Sequence, residues 1–109
     1  SAAFARNLLH RLNRELNGNV RPEQFHYRAR WQPQHQRIEM ALVSRCEQTV
    51  QLAQQSWAFA EGEALITEHS VKYSPEAAAE LASRAGWRIR QRWHDPNDTL
   101  SLHWLEPAD

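Results

Sequence analysis

A chain of 109 residues with 13 basic and 13 acidic side chains has a formal net charge of zero, which removes the field that would draw it to nucleic acid or an anionic membrane. The length suits one domain burying roughly two thirds of its unfolded surface. The single cysteine, Cys46, has no partner for an internal disulfide and suits a reducing compartment. No apolar run approaches the ~18 residues of a membrane helix and no leader pattern opens the chain, so a cytoplasmic protein without nucleic-acid or membrane partners is expected.

The first element is a helix over Phe4 to Asn17, with Leu8, Leu9, Leu12 and Leu16 at helical spacing and Arg6, Arg11 and Arg14 on other faces. Gly18 is expected to close it. The helix starts almost at residue 1 without a cap, so the chain reads as a piece of a longer protein. Pro22 begins a short helical turn, and Tyr27 to Gln32 extend as a strand. After the turn Pro33-Gln34-His35-Gln36, the strand Arg37 to Arg45 puts Ile38, Met40 and Leu42 on one face and Arg37, Glu39 and Ala41 on the other. Cys46 then sits in a polar turn, a setting that does not suggest a catalytic thiol. Two short strands around Val50 and Trp57 follow, and an antiparallel meander is the economical topology.

The central stretch is Leu65 to Glu76. Its β-branched and aromatic residues read as a strand, whose alternation projects Ile66, Glu68, Ser70 and Lys72 one way and Leu65, Thr67, His69, Val71 and Tyr73 the other. Glu68 and Ser70 then lie roughly 7 Å apart on one face, twice the strand rise, a pair able to hold one small polar ring. Ser74 is expected to cap a helix begun by Pro75 and ended by Gly86 in a left-handed conformation. Trp87, Ile89, Gln91 and Trp93 share a face of a further strand, which turns at His94 to Asp98 into a last strand carrying Leu102 and Trp104. The expected fold class is therefore α+β: a mostly antiparallel sheet with an N-terminal helix and one further helix packed on one face.

Several chemistries find no support. The six histidines show neither HExxH nor short paired spacing, and no nucleophile sits in an elbow motif, so neither a metal nor a catalytic residue is expected. Tryptophans interleaved with arginines are one way to stack single-stranded nucleic acid, but most of the five fall where a strand should face inward, and packing is the preferred expectation. Glu68 remains. A carboxylate on an inward face costs several kcal/mol unless paired, so it either bridges to a basic side chain or meets a ligand.

Four ordered blocks, RNLLHRLNREL, RIEMALVSR, ITEHSVKYSPEAAAELASRAGW and RWHDPNDTLSLHWLEP, resemble the carboxy-terminal part of the L-histidine Nα-methyltransferase family of ergothioneine biosynthesis. The resemblance spans nearly the whole chain. It implies an S-adenosylmethionine-dependent enzyme that methylates the α-amine of histidine, with the donor held in a Rossmann-like domain and this segment closing over the acceptor. It also implies that Glu68 and Ser70, the E-x-S pair, bind the imidazole, and that Met40 lines the same pocket. Imidazole carries one donating nitrogen and one that accepts or donates, so a carboxylate and a hydroxyl on one strand face suit it. No glycine-rich donor loop occurs in the 109 residues. The expectation is an acceptor-binding domain that is inactive alone, partnered by its own Rossmann-like domain and prone to dimerise through an exposed interface. The alternative is a non-catalytic interaction module with Glu68 in an internal ion pair.

Overall fold

The computed structural model describes residues 2–109. They form two compact units, one ending at Val71 and the other beginning at Lys72. The first comprises a helix α1 (Ala2–Leu16), a 3-10 turn (Pro22–Gln24), and strands β1 (Phe25–Gln32), β2 (Arg37–Ser44), β3 (Gln48–Leu52), β4 (Gln55–Phe59) and β5 (Ala64–Val71). The second comprises α2 (Pro75–Arg84), β6 (Trp87–His94) and β7 (Ser101–Pro107).

The α+β class and the antiparallel pairing are as expected. The strands are shared among three sheets, however: β1-β2-β5, β3-β4 and β6-β7. The simple meander is broken because β3-β4 stands as its own hairpin between β2 and β5. Its two-residue turn, Ala53-Gln54, has positive φ at both positions (50° and 66°), the backbone of a type I′ turn whose twist matches the flanking strands.

The core of the first unit lies between α1 and the sheets. Ala5, Leu9, Val20, Phe25, Leu42 and Val50 form it, with Leu12, Tyr27, Leu52, Phe59 and Leu65 packed around them. Phe25 and Phe59 meet edge to face at 5.4 Å, the arrangement ring quadrupoles favour. The apolar stripe read at helical spacing thus divides: Leu9 is buried, while Leu8 and Leu16 stay 37% and 42% exposed.

The end of α1 differs from expectation in one detail. Asn17, not Gly18, takes the left-handed conformation (φ 51°). Gly18 is closely packed instead: a Cβ there would lie 2.3 Å from Leu52 Cδ2 and 2.9 Å from Asn13 Oδ1, so those side chains would have to shift. Asn13 fastens the following loop: its Nδ2 donates to the Val20 carbonyl at 2.7 Å and its Oδ1 accepts from the Val20 N–H at 2.8 Å. Val20 is buried, so Asn13→Ala is expected to destabilise the unit by about 1–3 kcal/mol, the cost of stranding a buried polar group. A urea titration checks this, and an unchanged midpoint would contradict it.

In the second unit Ser74 Oγ accepts from the Ala77 N–H at 3.0 Å, Pro75 opens α2 and Gly86 has φ 85°, all as the sequence indicated. β6 departs from strict alternation. Its register against β7 shifts between Ile89 and Gln91, so Ile89 pairs with Leu105 while Gln91 and Trp93 pair with Trp104 and Leu102. Paired residues share a face, which puts Trp87 and Ile89 opposite Gln91 and Trp93 rather than beside them. The tryptophans are not buried as expected: Trp31, Trp57, Trp87, Trp93 and Trp104 are all between 43% and 52% exposed. Indole is large enough to cover neighbours with one side of its ring and leave the other in water. Arg90 lies 4.8 Å from the Trp104 ring centroid, a cation–π contact.

Candidate functional site

β2 is the middle strand of the three-stranded sheet, and its alternation separates two environments. On one face Met40 pairs with Glu68 of β5 and with Ala29 of β1; on the other, Glu39 pairs with His69 and Arg30. The first face supports a cavity of about 210 Å³. Its walls are Phe4, Ala5, Asn7, Leu8 and Arg11 of α1, Tyr27 of β1, Met40 of β2, and Thr67 and Glu68 of β5. Pockets for drug-sized ligands begin near 300 Å³, so this one suits a single ring.

The expected face assignment of β5 needs correcting. Leu65 pairs with Leu42 and packs on the core, yet Glu68 pairs with Met40 on that same face, because the register shifts between Met40 and Ala41. Ile66 pairs with Ala41 on the opposite face and is 44% exposed. Glu68 therefore shares its face with Leu65, not with Ile66.

Of the three residues singled out from the sequence, Met40 and Glu68 line the cavity together. Ser70 does not. It pairs with Ile38 two rungs further along the sheet and is half-buried. Among the described residues Glu68 has no hydrogen-bond or ion-pair partner, and it is exposed to the pocket. Arg11, the basic side chain in the same wall, is paired with Glu15 one helical turn on. Asn7, Tyr27 and Thr67 were not anticipated. Their signal was present only for α1, where Asn7 and Arg11 lie four residues apart and so face the same way.

The reverse face holds a cross-strand triad. His69 Nε2 lies 3.2 Å from Glu39 Oε1, and Arg30 Nη2 lies 3.5 Å from Glu39 Oε2. The hydrogen bond from His69 holds the Glu39 carboxyl below the ordinary carboxylate range; burial opposes this and the Arg30 charge adds to it. A depressed carboxyl contributes stability above its unfolded value, about 4.3, that is lost as pH falls through the lower folded value. Glu39→Gln is expected to remove this component, so acid titration of the variant should show a shallower loss of stability below about pH 4. Parallel acid-unfolding curves for the two proteins would contradict it.

An α+β unit with an open, ring-sized pocket, and in its wall a carboxylate without a partner among the described residues, is suited to binding a small polar molecule. Residues 1–107 match the family described as histidine-specific, SAM-dependent methyltransferases, and the chain belongs to that family. It is similar to the histidine N-alpha-methyltransferase of Mycolicibacterium smegmatis, with 39% identity over 104 residues, and to that of Mycobacterium tuberculosis, with 39% identity over 105 residues. Each match covers 94% of this chain and 32% of the relative, so the chain spans about a third of the length of the curated proteins it matches.

Proposed function

We propose that this chain is the acceptor-binding part of an S-adenosylmethionine-dependent methyltransferase acting on the α-amine of L-histidine. The observation that carries the reading is Glu68: a carboxylate without a protein partner among the described residues, set in a ring-sized pocket beside Met40. A carboxylate there accepts the imidazole N–H, a charge-assisted bond that an acceptor without ring nitrogens forgoes. Met40 and Tyr27 supply apolar and aromatic surface for the ring, and Ser70, on the same face but outside the cavity wall, is assigned the second polar contact of the E-x-S pair. The interaction-module alternative requires Glu68 in an internal ion pair, and among the described residues it has none.

S-adenosylmethionine joins an adenosine to an amino acid and is too large to share a 210 Å³ cavity with the acceptor ring. We assign the donor to a part of the protein outside this chain, a Rossmann-like domain, within a cytoplasmic enzyme serving ergothioneine biosynthesis. The role of the present chain is to hold the acceptor still, since methyl transfer depends on alignment of the two reactants.

The test is incubation of the full-length protein with S-adenosylmethionine and a panel of amino acids, followed by mass spectrometry. Methylated histidine is the expected product. Methylation of a different amino acid would move the specificity, and no methylation of any amine would overturn the reading. The 109-residue chain alone is expected to transfer no methyl group; turnover by it would place the donor site within it.

A further inference from the structure

Leu65 and Glu68 are three residues apart, so an unbroken strand would place them on opposite faces. Leu65 is needed against the core and Glu68 in the pocket, and both lie on the face of Leu42 and Met40. One additional residue in β5 resolves the conflict. Ala41 pairs with Ile66 and Met40 with Glu68, which leaves Thr67 unmatched in the ladder. A bulge of this kind re-aims the side chains beyond it.

The bulge is fastened by its own side chain. Thr67 Oγ1 donates to the Met40 carbonyl at 3.2 Å, the backbone of the residue that faces Glu68 across the ladder. On the reverse face the next rung is held by the Glu39–His69 contact at 3.2 Å. The strand is thus tied on both sides of Glu68, while Glu68 itself is left for a ligand.

We infer that Thr67 is a positioning residue whose hydroxyl, by bonding the Met40 carbonyl, sets the bulge that aims the Glu68 carboxylate into the pocket. The inference rests on the reading of Glu68 as the contact to the acceptor ring. Thr67→Val keeps the β-branched shape that suits a strand and replaces the hydroxyl with a methyl group that cannot donate.

Steady-state kinetics of the full-length protein test it. Thr67→Val is expected to raise KM for histidine about 3- to 10-fold, as befits one lost hydrogen bond, with kcat changed less than about 2-fold. Thr67→Ser, which retains the hydroxyl, should stay near wild type. Unchanged kinetics in the valine variant overturn the proposal. So does an equal rise in KM for S-adenosylmethionine, which marks general loosening, or a serine variant as impaired as valine. If valine does not fold, Thr67→Ala is measured in its place with the same split expected. Glu68→Ala, run in parallel, separates two failures. A large effect there with none at Thr67 overturns the positioning role alone, whereas no effect at either overturns the reading of the pocket as well.

Discussion

Glu68→Ala in the full-length protein is expected to lower kcat/KM for histidine by about 10- to 150-fold, the range set by losing a hydrogen bond to a charged group worth about 1.5–3 kcal/mol. On the proposed reading the loss should fall mainly on KM, because a carboxylate that contacts the ring would act away from the α-amine, so both ground and transition states would lose the contact. Glu68→Gln keeps an oxygen that accepts but not the charge, and should lie between the two. Thermal stability should barely move, since Glu68 is exposed and has no partner among the described residues; surface changes of that kind usually stay within about 0.5 kcal/mol. Discrimination is the sharper readout. Histidine should lose its advantage over amino acids of similar size in the alanine variant, and unaltered preference would remove Glu68 from acceptor recognition.

Leu9→Ala is expected to destabilise the first unit by about 2–5 kcal/mol, the range for emptying a packed leucine site. Leu9 is 1% exposed and lies in the cluster that includes Phe25, Leu42 and Val50. Its neighbour provides the control. Leu8 is 37% exposed and lines the pocket instead, so Leu8→Ala should cost little stability and act on acceptor binding. The two changes differ by one position on α1 and should separate cleanly in denaturant titrations and kinetics. Equal destabilisation by both would mean that α1 does not dock by the face described. The functional consequence follows from the same geometry: α1 supplies Phe4, Asn7, Leu8 and Arg11 to the cavity wall, and Leu9 and Ala5 anchor that wall to the sheet.

Much of this molecule is legible in the linear chain. The leucine spacing of α1, the alternation of Ile38, Met40 and Leu42, the Ser74-Pro75 start and Gly86 end of α2, and the turns at Pro33 and His94 all follow from local backbone and side-chain preferences, which act over a few residues. The E-x-S spacing placing Glu68 and Ser70 on one face is equally local. Pairing is not local. That β3-β4 stands apart between β2 and β5, and that β5 and β6 each carry a bulge, depends on which strands meet and where the core lies. Strict alternation therefore misplaced Leu65 and Ile66, and likewise Trp87 and Ile89, because one inserted residue reverses every face beyond it. Burial of the tryptophans failed for a related reason: a large ring on an apolar-looking face is buried only where a neighbouring layer covers it. The residue types able to form a site and their order along the strand were determined by the sequence. Tertiary structure alone decided that Thr67 would be the extra residue, that Glu68 would face Met40 in a pocket roofed by α1, and that Glu39 would take its partners on the far side, because contacts between strands distant in sequence select the register.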